Sequence, residues 1–390
     1  MFKIKTLNKI DSEGLTLLPS DNYEIDTNIE SPDAIILRSY NMHDMELLPP
    51  LKAVARAGAG INNIPVEKCT EKGIVVFNTP GANANGVKEL VIAGLLLVSR
   101  DIIQGAEWAK TLIGKGDEVP ALIEQGKKSF AGQEIQGKTL AVIGLGAIGI
   151  QVANVAWYLG MKVIGYDPYM SVNRALQLNN HVKFVNDVQA LLSHADYVTL
   201  NVPLTHETKN YICEERLKMM KNDVRILNFS RGGLVDLDAL ENAIETGKVA
   251  RYITDFPNER LLKMKNTIAI PHLGASTTES ETNCAIMAVK QIKNFLESGN
   301  IKNSVNFPEA EMDRNGGARI LIANQNIPKM VSQISSVLAS EGLNIDNLLN
   351  RKHENIAYNI IDVNVPTLDL GLQEKLKSIE GVFMVRIIQA

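Results

Sequence analysis

The run Gly144-Leu145-Gly146-Ala147-Ile148-Gly149 is a complete G-x-G-x-x-G. It follows the apolar segment 140–143 and opens a stretch with Ile148, Val152, Val155 and Leu159 on one helical face. This spacing suits a strand–turn–helix that receives a pyrophosphate. Gly144 permits the tight turn, Gly146 lets the backbone approach the phosphates, and Gly149 lets the helix close on the strand. The helix start, at Ala147 and Ile148, offers free N–H donors and positive potential. Asp167 ends the next apolar run, 18 residues after Gly149, where a carboxylate accepts from ribose hydroxyls and repels a 2′-phosphate. Pro168-Tyr169 bring no compensating arginine, so NAD is favoured over NADP. Three further polar residues stand at the C-terminal ends of expected strands, where open α/β sheets bind ligands: Arg231 after ILNFS, Glu259 past YITDF, and His272 after TIAIP. Position alone does not separate such a histidine from a structural one.

The elements that must hold these residues alternate strand and helix, the pattern of α/β architecture. DAIILRS (33–39), VARAG (54–58) and GIVVFN (73–78) read as strands of a small first unit, and a helix with two apolar faces runs from about Asn85 to Lys110. Strands at 140–143, 163–167, 197–203, 224–230, 252–256 and 267–272 make a doubly wound series. Thr278 with Glu281 reads as a capping box for the helix that follows. Beyond a polar, Pro- and Gly-bearing stretch, the tail reads βαββαβ. The expected fold is α/β: two Rossmann-like, doubly wound parallel-sheet domains plus a C-terminal ferredoxin-like α+β domain. The expected boundaries are 1–82 with 280–308 for a substrate-binding lid, 83–279 for NAD, 309–317 for a linker and 318–390 for the tail.

Composition excludes several classes. The 390 residues are 45% hydrophobic and 22% charged with a net charge of −4, average for a soluble globular protein of two or three domains. That balance advertises neither a nucleic-acid nor a membrane partner. The apolar run 90–99 is too short to span a bilayer, and the start lacks the apolar core of a signal peptide. Cys69, Cys213 and Cys284 form no CxxC pair and no metal set, which points to reduced thiols, a cytoplasmic location and no metal.

RAGAGINNI (56–64), GLGAIG, GYDP (165–168), NVPLTHET (201–208), NFSRGGLVDLDAL (228–240) and PHLGAST (271–277) occur in that order. Together they resemble the D-isomer-specific 2-hydroxyacid dehydrogenases. PHLGAST and SRGGLVD lie especially near the branch that oxidises 3-phosphoglycerate to 3-phosphohydroxypyruvate at the entry to serine biosynthesis. The resemblance implies that Arg231 binds the substrate carboxylate and carbonyl oxygen, that His272 is the acid–base, and that Glu259 orients its imidazole. A base must take the hydroxyl proton while hydride leaves, and histidine titrates where it can run both directions. The family's usual LDVF segment reads here as Ile253-Thr254-Asp255-Phe256-Pro257-Asn258-Glu259. Matching phenylalanine to phenylalanine puts Glu259 in the catalytic slot, with Asp255 the fallback for orienting the histidine or the nicotinamide amide. By the same resemblance Ala59, Val202, Phe229, Ser230, Gly274 and Ala275 line the cofactor. Arg38-Ser39-Tyr40 and Gly58-Ala59-Gly60 match segments facing a phosphorylated 2-hydroxy acid, with Arg56 and the Lys127-Lys128 pair as further cations. A solvated loop is the plainer reading of the lysine pair, and helix capping is the plainer reading of Asn83 and Asn85.

The tail resembles an ACT domain, which in this setting implies a serine effector, with Asn324, Asn326 and Asn344 where ligand-contacting amides would lie. The usual Pro-Gly at the helix start is Pro328-Lys329 here, and a side chain at that glycine crowds the site. The two-faced helix and the tail imply a homodimer or homotetramer. Two other readings stay open: a reductase of an unphosphorylated acid such as hydroxypyruvate or glyoxylate, and a non-catalytic NAD-sensing regulator.

Overall fold

The computed structural model describes residues 1–390, the side chain of Leu370 excepted. The chain divides into two compact units, one of residues 84–280 and one of residues 1–83 with 281–390. In the latter, β1 (Phe2–Leu7), β2 (Tyr23–Asp26), β3 (Ala34–Leu37), β4 (Ala53–Arg56) and β5 (Val75–Phe77) form a parallel sheet ordered β2-β1-β3-β4-β5. Neither β1 nor β2 was among the expected strands, although FKIKTL alternates with period two.

The 84–280 unit holds β6 (Thr139–Ile143), β7 (Lys162–Tyr166), β8 (Lys183–Phe184), β9 (Tyr197–Leu200), β10 (Val224–Asn228), β11 (Val249–Thr254) and β12 (Thr267–Ala269). They form one parallel sheet ordered β12-β11-β10-β9-β6-β7-β8. From β6 the chain winds one way to β7 and then returns to lay β9 on the other side. That reversal opens a crevice at the C-terminal strand ends. The central strands are mostly apolar and buried because helices cover both faces. Val91, Leu95, Val152 and Ala153 pack on one side, and Leu191, Leu217 and Leu240 on the other. The single helix expected from Asn85 to Lys110 is two helices, Ala84–Ser99 and Ile102–Lys110. The Ser99 hydroxyl bonds back to the Leu95 carbonyl at 2.6 Å and meets the Tyr197 hydroxyl at 2.8 Å, while Asp101 pairs with Arg251, so the chain turns at 100–101.

The tail forms β13 (Arg319–Gln325), β14 (Ile345–His353), β15 (Ile356–Val363) and β16 (Val382–Ile388), antiparallel and ordered β14-β15-β13-β16. This is the ferredoxin-like arrangement. Alternation divides its faces. Ile320, Ile322, Ile361 and Val363 pack with Ile334, Leu338 and Leu376 of the two tail helices. Leu321, Ala323, Tyr358 and Ile360 instead join a core with Ile4, Ile36, Phe77 and, from helix Thr278–Ser298, Ala285, Val289 and Phe295. The sheet at 318–390 thus shares a hydrophobic core with the first sheet. The start of helix Thr278–Ser298 is held by Thr277, whose Oγ1 accepts from the Ser280 N–H at 3.1 Å, one position before the expected Thr278 cap. Among the described residues no helix is long and apolar enough to cross a membrane, and no acidic, His or Cys group could hold a metal.

Candidate active site

β6 delivers the chain into the glycine turn, and sterics justify each glycine. Gly144 has φ +89°, and a Cβ there would sit 2.5 Å from the Asn201 carbonyl. A Cβ at Gly149 would overlap the Gly144 carbonyl oxygen, whereas one at Gly146 would meet nothing within 4 Å. The first and third glycines therefore serve packing, and the second leaves room for a ligand. Helix Ala147–Tyr158 starts from Gly146, so its first N–H groups, at Ala147 and Ile148, lie at this opening. Asp167, one residue beyond β7, accepts from the Leu145 N–H at 2.9 Å and from the Tyr169 N–H at 2.8 Å. Each oxygen retains a lone pair for a ribose hydroxyl. A cavity of about 730 Å³ opens beside it, lined by Tyr166, Asp167, Met170, Leu178 and Phe184 among others, within the range of small-molecule sites.

Val202 packs against the turn, 2.7 Å from where a Gly144 Cβ would be. Phe229 is buried, and the Ser230 hydroxyl donates to the Leu200 carbonyl at 2.7 Å. Arg231 follows in extended backbone. Its carbonyl accepts from the buried Asn228 amide at 2.9 Å, and its own Nη1 donates to the Ser230 carbonyl at 2.6 Å. The guanidinium carbon lies 5.9 Å from the Phe256 ring centre, and the His272 ring lies 4.6 Å from the same centre at 47°. Arg231 and His272 thus meet around one aromatic ring, both exposed. Phe256 was read only as an alignment anchor; its position just past a strand end was the signal for its platform role. Gly274 donates its N–H to Asp255 Oδ2 at 3.2 Å. Asp255 is fully buried, and its Oδ1 has no partner among the described residues. Burial raises its pKa, while the charges of His272 and Arg231 oppose the rise.

Glu259 does not join this group. It opens the short surface helix Glu259–Lys263, pairs with Lys263 one turn on, and its side chain is 82% exposed. Asn258 caps that helix through the Leu261 N–H at 2.9 Å, which fixes Glu259 in the first turn facing solvent.

In the other unit, Arg38 and Arg56 are held together: Arg56 Nε donates to the Arg38 carbonyl at 3.0 Å. Arg38 also pairs with Glu281 at 2.7 Å. The N–H groups of Ser39 and Tyr40 both donate to Asn8 Oδ1, at 3.1 and 2.6 Å. Asn8 escaped notice in the sequence. Asn78 donates to the Ala59 carbonyl at 2.7 Å, and Thr79 N–H to Gly58 at 3.1 Å, which fixes the 58–60 loop before Gly60. Lys127 pairs with Glu124, and Asn85 donates to Glu89 at 2.8 Å. In the tail, Asn324 is buried with both ends of its amide engaged, donating to the Gln325 carbonyl and accepting from Asn359. Its amide is thus engaged within the sheet. Asn326 and Asn344 are exposed, the latter 3.5 Å from Asp346 Oδ1.

Residues 92–274 match the family described as D-isomer specific 2-hydroxyacid dehydrogenase, NAD binding domain. The chain is 37% identical over 302 residues to a D-3-phosphoglycerate dehydrogenase of Methanocaldococcus jannaschii, covering 75% of this chain and 55% of that protein. It is 31% identical to a D-3-phosphoglycerate dehydrogenase of Haemophilus influenzae, covering 94% of this chain and 89% of the relative. The chain spans about half the length of several curated relatives it matches. Among solved structures, an NAD+-bound 3-phosphoglycerate dehydrogenase of Entamoeba histolytica matches with a TM-score of 0.59 and 26% identity, covering 78% of this chain and 98% of that one. With the glycine turn, Asp167 and the strand-end cluster in place, these likenesses assign the chain to a family: it belongs to the D-isomer specific 2-hydroxyacid dehydrogenases.

Proposed function

We propose that this chain oxidises 3-phosphoglycerate to 3-phosphohydroxypyruvate with NAD, at the entry to serine biosynthesis. The observation that carries the reading is the meeting of Arg231 and His272 at the Phe256 ring. The glycine turn and helix start hold the pyrophosphate of NAD, and Asp167 holds the adenosine ribose. NAD supplies the hydride acceptor. Arg231 grips the carboxylate and polarises the C2 oxygen. An imidazole nitrogen of His272 takes the hydroxyl proton as the C2 hydride leaves, and returns it in the reverse direction. Arg38 and Arg56 serve the phosphate. The tail is read as a regulatory ACT-type domain, serine as its candidate effector, the assembly as a homodimer or homotetramer, and the location as cytoplasmic.

One observation favours a second reading, reduction of an unphosphorylated 2-oxo acid: Arg38 already has Glu281 as counter-ion, which opposes a dianion. A steady-state NADH assay separates the two. Preference for 3-phosphoglycerate over glycerate, lost in Arg38→Ala, supports the first; equal rates on both acids remove the phosphate from the account. Addition of serine to the same assay tests the effector.

A further inference from the structure

Helix Thr278–Ser298 carries a second surface besides its core face. Ala285, Ala288, Val289, Ile292 and Phe295 pack inward. Asn283, Met287, Lys290 and Asn294, spaced four, three and four residues apart, lie on the opposite face. With Gln291 and Lys302, among others, they line a cavity of about 470 Å³, within the range of small-molecule sites. We propose that this cavity is an effector site for a small organic acid with one negative charge, an apolar body and a hydroxyl, coupled through Asn78 to the 58–60 loop.

The lining selects that chemistry. Two lysines line the cavity and no aspartate or glutamate does. Lys302 lies 3.3 Å from Glu311, which offsets its charge. Lys290 has no ion pair among the described residues, so a monoanion balances what is left. Ala82, Ile286 and Met287 give the apolar wall. Gln291 is only 6% exposed. Its Nε2 donates to the Asn78 carbonyl at 3.0 Å, and its Oε1 has no partner among the described residues. Such an oxygen calls for a donor. A hydroxyl supplies one without the like charge that an ammonium would bring beside two lysines.

Asn78 ties this lining to the loop expected to face substrate. Its carbonyl accepts from Gln291, and its N–H donates to the carbonyl of Asn303, another lining residue, at 3.4 Å. Its Nδ2 donates to the Ala59 carbonyl at 2.7 Å. A ligand that shifts Gln291 or Asn303 therefore shifts the anchor of the 58–60 loop. The coupling, though not the binding, rests on the reading of that loop as substrate-facing given above.

The test uses the full chain and 4-hydroxybenzoate, which carries a carboxylate, an apolar ring and a hydroxyl but is not a 2-hydroxy acid. Saturation-transfer NMR should show it bound. Lys290→Ala should weaken that binding about tenfold, as should replacing the probe by neutral 4-hydroxybenzyl alcohol. Benzoate, lacking the donor, should bind about fivefold more weakly. Arg231→Ala should bind the probe as wild type does. In the NADH assay with 3-phosphohydroxypyruvate, the probe should change KM about twofold or more with kcat held, and the change should level off at saturation. Asn78→Ala should keep the binding and lose the change in KM. Binding that Lys290→Ala leaves unaltered, or that Arg231→Ala abolishes, overturns the site. A KM that rises without limit is competition for the substrate site and overturns it too, and binding with no change in KM overturns the coupling. If wild type reduces no 2-oxo acid, the functional reading fails and the coupling with it, while the NMR binding still decides the cavity.

Discussion

The strand ends of the 84–280 unit and the C-terminal sheet both bury polar side chains, but they treat them oppositely. At the strand ends capacity is left open among the described residues: Asp255 Oδ1 has no partner, Asp167 keeps lone pairs, and a Cβ at Gly146 would meet nothing within 4 Å. In the C-terminal sheet it is filled. Arg319, with no exposed surface, donates through Nε and Nη2 to both oxygens of Asp362, at 2.6 and 2.8 Å. Its remaining N–H groups reach the carbonyls of Ser298, Met312 and Asp313 at 2.8–2.9 Å. Arg386 donates to the carbonyls of Phe295 and Leu296, and Tyr358 to that of Gly299. These donors cap the C-terminal end of helix Thr278–Ser298, where cations and donors are favoured. A buried polar group without a partner calls for a reason, and at strand ends that carry a cofactor turn a ligand is one such reason.

The contrast breaks most visibly at Arg319. Arg319→Met should cost about 3–5 kcal/mol by urea unfolding, because Asp362 is left charged and buried, and Arg319→Met/Asp362→Leu should recover most of it. A loss below about 1 kcal/mol in the single variant would mean the pair is exchangeable surface chemistry. The glycine turn comes next. Gly149→Ala pushes a methyl into the Gly144 carbonyl, so it should lower stability by about 2 kcal/mol or more. Gly146→Ala, at an open position, should leave the unfolding midpoint unchanged and weaken NAD binding about tenfold. Equal effects on both measurements from both variants would erase the distinction between packing and ligand glycines.

Asp255 sharpens the comparison, since an unfilled site should cost stability. Its folded pKa is raised by burial, so the folded state holds the proton more tightly than the unfolded chain does. Its contribution favours folding at acid pH and fades as pH rises through the folded value. Asp255→Asn should then be more stable than wild type at pH 7 and little different from it at pH 4, by urea unfolding at both pH values. A variant destabilised equally at both pH values would place Asp255 with the satisfied groups.

What the sequence made legible follows the same division. The glycine turn could be read because its requirements are local: each glycine answers to a clash within a few residues or to one neighbouring strand. Arg231 and His272 were legible as strand-end residues. That Asp255 is buried and Glu259 exposed was not, because a small offset after a strand flips a side chain from core to solvent, and composition does not record that offset. The break at Ser99–Asp101 depended on Tyr197 and Arg251, roughly 100 and 150 residues away. Arg319 carries no local signal of its buried pairing, since its carbonyl partners lie in segments whose approach only the fold creates. β8, with two residues, was too short to show any period.

The smallest effect tests whether the tail helix start is built for a ligand or for the sheet. Lys329 stands at the N-cap of helix Met330–Ser340 with φ +72° and makes no side-chain cap bond. A Cβ in that left-handed conformation costs roughly 1 kcal/mol that glycine does not incur. Lys329→Gly should therefore raise stability by about 0.5–1 kcal/mol, the gain from relieved strain being partly offset by the freer unfolded chain. If the lysine is merely tolerated there, the serine response of the NADH assay should stay the same in the variant. If its side chain fills the space an effector would need, the variant should acquire or strengthen serine inhibition as well as stability. A stabilised protein with unchanged serine response would leave the tail, like its buried Arg319, on the structural side of the comparison.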